Sequence, residues 1–107
     1  VITGVDRPWQ GGQYKPKFFG HPSALPVTTI QMAIRTETPV MLLACIRQPD
    51  QRYILHASDL IELHKHADRE VELLENTELV LSVAEKFISS APEQWAMFYP
   101  VWPEISV

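Results

Sequence analysis

The residues of this chain that could do chemistry crowd toward its N-terminal end. Asp6-Arg7-Pro8 leads into the Gly11-Gly12 pair. Lys15 and Lys17 then alternate with Tyr14, Pro16 and Phe18, and Phe19, Gly20, His21 and Pro22 follow. A carboxylate, a guanidinium, two ammonium groups and paired aromatics on turns are the groups that would hold a phosphorylated or acidic ligand. The cations would meet its charge and the rings its apolar part. Asp6-Arg7 follows the strand-like Ile2–Val5, where α/β sheets place functional loops; the competing account is an exposed ion pair that caps the turn and contributes little. Lys15 and Lys17 either bind phosphate or guard an edge strand against pairing. Phe18 and Phe19 read first as core and second as ligand contacts.

Three further candidates are weaker. His21 could act as a general base only with an orienting carboxylate in hydrogen-bond reach, and Asp6 is the one in a similar loop context; otherwise it is a surface imidazole beside a tight turn. His64-x-His66 places two rings on one face of an extended segment, with Glu62 and Asp68 near in sequence, but a zinc site normally needs three or four ligands. A solvated loop is the simpler reading, and no metal or other cofactor is expected. Cys45, the single cysteine, lies in the apolar run Val40–Ile46 and reads as a small core residue. It forms no internal disulfide, and a reducing compartment fits.

These residues must be positioned by regular elements. The Tyr14–Phe19 stretch, with its prolines, suits an edge strand or extended loop. Pro26 can open a helix, because its missing N–H would be unpaired there anyway. Val27, Ile30, Ala33 and Ile34 follow helical spacing, and Glu37-Thr38-Pro39 ends it. Val40–Ile46 is a continuous apolar run, as expected of an interior strand covered on both faces. Pro49-Asp50 turns the chain into a second strand over Arg52–Ala57, and Ser58–Ala67 has no clear period. Asp68 precedes a helix from Arg69 to Ser90 with a stripe of Leu73, Thr77, Val80, Ala84, Phe87 and Ile88. Glu72, Glu75, Glu78 and Glu85 lie mainly off that stripe, on what reads as a solvated face. Asn76-Thr77-Glu78 could instead cap a separate helix. The sum is an α/β fold: a layered mixed sheet, a short crossover helix and a long C-terminal helix.

With 107 residues, the chain has the size of one domain, and residues 1–107 are read as part of one. Its start in strand-like sequence without Met reads as a piece of a longer protein. The net charge of −4 is split: six cations meet three acids up to Tyr53, a local +3, and three meet ten after it, a local −7. A broad basic stripe for nucleic acid is missing, whereas a small anionic ligand suits the basic half. No apolar run approaches the roughly 20 residues of a membrane span. The aromatic tail with Trp95, Met97, Phe98 and Trp102 either touches a bilayer interface or folds back to fill the gap between sheet and helix.

Taken in order, Asp6-Arg7, the glycine turn, Phe18-Phe19-Gly20 with Pro22 and Ala24, Leu25-Pro26, Arg35-Thr36, Pro39-Val40, Arg47, Arg52-Tyr53 and Pro92-Glu93-Gln94-Trp95 form a set. With it the chain resembles the C-terminal half of the lipid A biosynthesis (lauroyl/myristoyl) acyltransferase family, enzymes of lysophospholipid acyltransferase type. The resemblance implies transfer of a fatty acyl chain from acyl carrier protein or coenzyme A to a lipid hydroxyl, at the cytoplasmic face of the bacterial inner membrane. It matches Asp6, followed by Arg7, to an acidic position near the cleft and Phe18, Phe19 and Gly20 to the pocket wall; Lys15 and Lys17 are read beside them as ligand-positioning groups. The family's base is a His-x-x-x-x-Asp/Glu pair. Here the acid position is Pro26 after His21 and Ile61 after His56, while Asp68 and Glu70 follow His64 and His66 with three residues between rather than four. The resemblance therefore implies a catalytic pair ahead of Val1, no catalytic residue in this chain, and no activity of the chain alone. Two departures bear on the acceptor. His21 stands where the family often has Arg, and Trp95 is followed by Phe98-Tyr99-Pro100-Val101-Trp102 without the family's arginines. The first speaks against a phosphate contact at His21, and the second leaves another glycolipid or a lysophospholipid open as acceptor. The rival reading is a non-catalytic module whose basic half docks an anionic partner such as acyl carrier protein; a scaffold half-domain is the blander one.

Overall fold

The computed structural model describes Gly4, residues 14–95 and Val101. Its elements are β1 (Lys17–Phe18), β2 (His21–Pro22), α1 (Thr28–Arg35), β3 (Leu43–Arg47), β4 (Tyr53–Ala57), α2 (Arg69–Ser90) and a 3-10 turn (Pro92–Gln94). The class is α/β: two small antiparallel sheets, β1–β2 and β3–β4, with a short helix and a long C-terminal one.

The β1–β2 hairpin turns through Phe19 at φ 51° and Gly20 at φ 79°. Positive φ at both central residues is the geometry whose twist matches the flanking strands. Phe18, the last residue of β1, is fully buried. Ser23 ties the hairpin's return to its start, donating from its amide (2.9 Å) and its hydroxyl (2.6 Å) to the Pro16 carbonyl.

Helix α1 begins at Thr28, with Val27 as N-cap and no side-chain cap bond. Its C-terminus closes as a Schellman motif: Thr38 N–H donates to Ala33 C=O (3.0 Å) and Glu37 N–H to Ile34 C=O (3.2 Å). Glu37, at φ 52°, sits where glycine is usual. Pro39 then prevents continuation.

Helix α2 runs unbroken over 22 residues. Asp68 caps it by accepting from Glu70 N–H (2.9 Å) and Val71 N–H (3.2 Å). No second helix starts at Asn76-Thr77-Glu78. Asn76 and Thr77 face inward instead, with Leu73, Val80, Leu81 and Ala84. Both cores lean on this helix: Phe18, Leu25 and Val101 pack with Leu81 and Ala84, and Ile30 and Ile61 pack with Leu73 and Val80.

The central apolar run departs from expectation. Residues 40–46 are not one covered strand. Val40 pairs with Ile61 in an isolated bridge, and the strand proper is Leu43–Arg47, half exposed along its length. Cys45, expected in the core, is exposed. The cause is topological: among the described residues β3 has one strand neighbour, β4, and every residue of β4 is exposed. The connecting turn holds Gln51 at φ 71°, closed by Gln51 N–H to Gln48 C=O (3.0 Å) and Gln48 N–H to Arg52 C=O (2.7 Å).

Candidate functional site: an uncharged groove beside a basic hairpin

A groove of about 930 Å³ lies between α1, β3 and the C-terminal half of α2. Its described wall is made by Thr29, Ile30, Met32, Ala33 and Thr36 of α1 or its end, residues 38–42 of the connection, residues 43–46 of β3, Ala84, Phe87 and Ile88 of α2, Ala91, Gln94 and Trp95 beyond it, and Gly4 from the N-terminal segment. Not one of these described residues is charged. The groove is as large as pockets that enclose small molecules, and its lining is that of an apolar guest.

Along the groove's wall, one side chain pairs with β3 as a strand would. Gln94 Oε1 accepts from Arg47 N–H (2.8 Å), and Gln94 Nε2 donates to Arg47 C=O (3.0 Å). One amide group thus satisfies both outward backbone groups of Arg47. Next to it, Trp95 meets Phe18 edge to face at 5.7 Å and 74°, and Phe18 meets Phe19 at 4.7 Å and 63°. This aromatic chain joins the groove to the β1–β2 hairpin.

Helix α2 holds that hairpin from below. Glu78 Oε2 accepts from Lys17 N–H (3.1 Å), and Glu85 Oε1 accepts from Phe19 N–H. Lys15, Lys17 and His21 are exposed, as is Gly20, and Phe19 is 38 % exposed at the tip; Phe18 is at 0 % in the core. Asp6 and Arg7 lie outside the described residues, as do Met97, Phe98 and Trp102 of the tail, and with Asp6 the proposed His21 dyad. Val101 is buried, and its carbonyl accepts from Ala24 N–H (2.7 Å).

His64 and His66 are exposed, and their loop is pinned through its backbone. Asn76 Oδ1 accepts from His64 N–H (2.7 Å), and Asn76 Nδ2 donates to the His64 and Glu72 carbonyls (both 2.8 Å). Glu72 Oε2 accepts from His66 N–H (3.0 Å), and His66 Nδ1 accepts from Asp68 N–H (3.0 Å).

Sequence reasoning missed the groove wall, the two carboxylates that hold the hairpin and the glutamine that pairs with β3. Met32, Ala33, Phe87 and Ile88 read as ordinary helix positions, and only their convergence makes a surface. Glu78 and Glu85 read only as residues off the apolar stripe and Gln94 only as part of the Pro92-Glu93-Gln94-Trp95 set, because their partners lie 47 to 66 residues away in sequence.

The family comparison names the class: the model for bacterial lipid A biosynthesis acyltransferases matches residues 3–104. The chain belongs to that family, whose activity is acyl transfer. No curated protein matches it.

Proposed function

We propose that this chain is the C-terminal part of an acyltransferase that moves a fatty acyl chain from an acyl thioester to a hydroxyl of a glycolipid or lysophospholipid. The observation that carries the reading is the groove, which has no charged residue among the described ones that line it and suits a hydrocarbon tail. In the reaction the acceptor oxygen attacks the thioester carbonyl, the C–S bond breaks, a base takes the hydroxyl proton, and the carrier leaves as a thiol. The base is assigned to a segment outside residues 1–107, because none of the four histidines has an acid five positions on. Lys15 and Lys17 are assigned to the phosphorylated or acidic part of a ligand, with Phe19 and Gly20 beside it. Asp6 and Arg7 are assigned to the same cleft. The donor is acyl carrier protein or acyl-coenzyme A, and the chemistry takes place at the cytoplasmic face of the inner membrane. No helix among the described residues is long and apolar enough to cross a membrane, so the surface contact is assigned to the full-length protein.

Incubation of the chain with acyl thioester and lysolipid tests the first half of this reading. Binding of the acyl compound without turnover is expected, and robust transfer would place a base within these residues. The exposed amines favour a second reading, a module that docks an acidic carrier protein without catalysis. Lys15→Glu with Lys17→Glu separates the two. Loss of carrier-protein binding by this chain alone supports the module; retained binding with lost transfer in the full-length protein supports the enzyme.

A further inference from the structure

The outer edge of β4 is built to pair. In the β3–β4 ladder the register sets Ala44 opposite His56 and Ile46 opposite Ile54. The flanking bonds, Ser58 N–H to Leu42 C=O (2.8 Å) and Gln48 N–H to Arg52 C=O (2.7 Å), show that the even-numbered residues of β3 bond inward. Arg47, which is odd, turns both its backbone groups outward to Gln94. Antiparallel pairs alternate in this way. The odd residues of β4, Tyr53, Leu55 and Ala57, therefore aim their N–H and C=O groups at the outer edge, where no described residue meets them.

Among the described residues, three of the usual guards are missing from that edge. Tyr53–Ala57 contains no Lys, no Pro and no bulge, and Tyr53 (67 %), Ile54 (46 %) and Leu55 (64 %) are exposed. An exposed, largely apolar edge of this kind is a template for another strand. By contrast, β3 keeps its outer edge closed at Arg47 through Gln94.

We infer that a second copy of this chain occupies the β4 edge, forming a continuous four-stranded antiparallel sheet about a two-fold axis. The argument for a copy is self-complementarity. With Leu55 opposite its own counterpart, Tyr53 faces Ala57, so all three outward residues bond at once. Ile54 then faces His56, Arg52 faces Ser58 and Gln51 faces Asp59, so no like charges meet. The groove lies against β3 on the other side of the hairpin and stays open, so the inference stands apart from the proposed acyl function. The contact is small and places the dimer in the weak, concentration-dependent class.

Sedimentation or light scattering over a concentration series tests it. The expected result is a mass rising from 12.2 kDa toward twice that value. Leu55→Pro removes the outward amide and takes nothing from the β3–β4 ladder, and edge strands tolerate proline. Leu55→Lys installs the missing guard should proline disturb the hairpin. Both variants should stay monomeric at concentrations where the parent dimerises. Hydrogen exchange reads the same geometry without mutation: the Tyr53, Leu55 and Ala57 amides should gain protection with concentration, and the Ile54 and His56 amides should be protected throughout. A monomer at all concentrations assigns the edge to another strand or to solvent and overturns the inference. So does a dimer that persists in both variants.

Discussion

Phe18 and Phe19 are neighbours in sequence and opposites in role. Phe18 ends β1 with its ring in the core, whereas Phe19 opens the turn at φ 51° and lies at the tip of the hairpin. Phe18→Ala would lose a fully buried ring that touches Trp95, so a cost of about 3–5 kcal/mol is expected in urea denaturation. Two positions test the backbone instead. A Cβ on Gly20 would meet nothing within 4 Å, but its φ is +79°; Gly20→Ala should therefore cost about 1 kcal/mol through conformation alone. Glu37 presents the converse case, an L side chain in the left-handed cap of α1. Its ion pair with Lys65 at 3.2 Å is well exposed at both ends (85 % and 73 %), so little is lost with it. Glu37→Gly should raise stability by about 1 kcal/mol, read as a higher urea midpoint at unchanged slope. The cap at Thr36–Pro39 was legible in the sequence because proline forbids continuation; the left-handed Glu37 was not, because nothing in its identity favours that conformation.

Among the elements, α2 carries the most legible and the least legible features together. Its length, its Asp68 cap and its apolar stripe all follow from local spacing. The tasks of its polar residues depend on what packs against them. Asn76 is 1 % exposed and closes both backbone groups of His64. Asn76→Leu would leave that amide and carbonyl without partners in a partly buried place. A loss of about 2 kcal/mol is expected, with faster exchange of the His64 amide. Thr77 is buried as deeply, but its hydroxyl donates to the Leu73 carbonyl within its own helix (2.7 Å). Thr77→Val strands no partner and should cost under about 1 kcal/mol. The run at residues 40–46 shows the limit from the other side. Periodicity reports that a strand is apolar, not what covers it, so Cys45 and Leu43 read as core while the fold leaves them at the surface.

On the scale of the whole molecule, the radius of gyration is 14.4 Å, against about 13 Å for a compact domain of this size. The β3–β4 hairpin stands away from α2, and the groove is the space beneath it. The α/β class and the family resemblance were legible; the groove was not, since it is made by walls from three elements far apart in sequence. Its chemistry makes one further prediction. If it holds a hydrocarbon chain, each added methylene should contribute about 0.8 kcal/mol, roughly a fourfold step in affinity, until the groove is full. A displacement series of fatty acyl compounds of increasing length measures this as a line with a break. Ala33→Phe adds volume to the α1 wall without charge and should move the break to shorter chains, leaving the slope below it unchanged. Leu43→Lys, at a position 50 % exposed and so harmless to folding, puts an ammonium group on the β3 wall and should weaken binding at every length. A flat series, or one in which neither substitution matters, would remove the groove from acyl binding while leaving family membership intact.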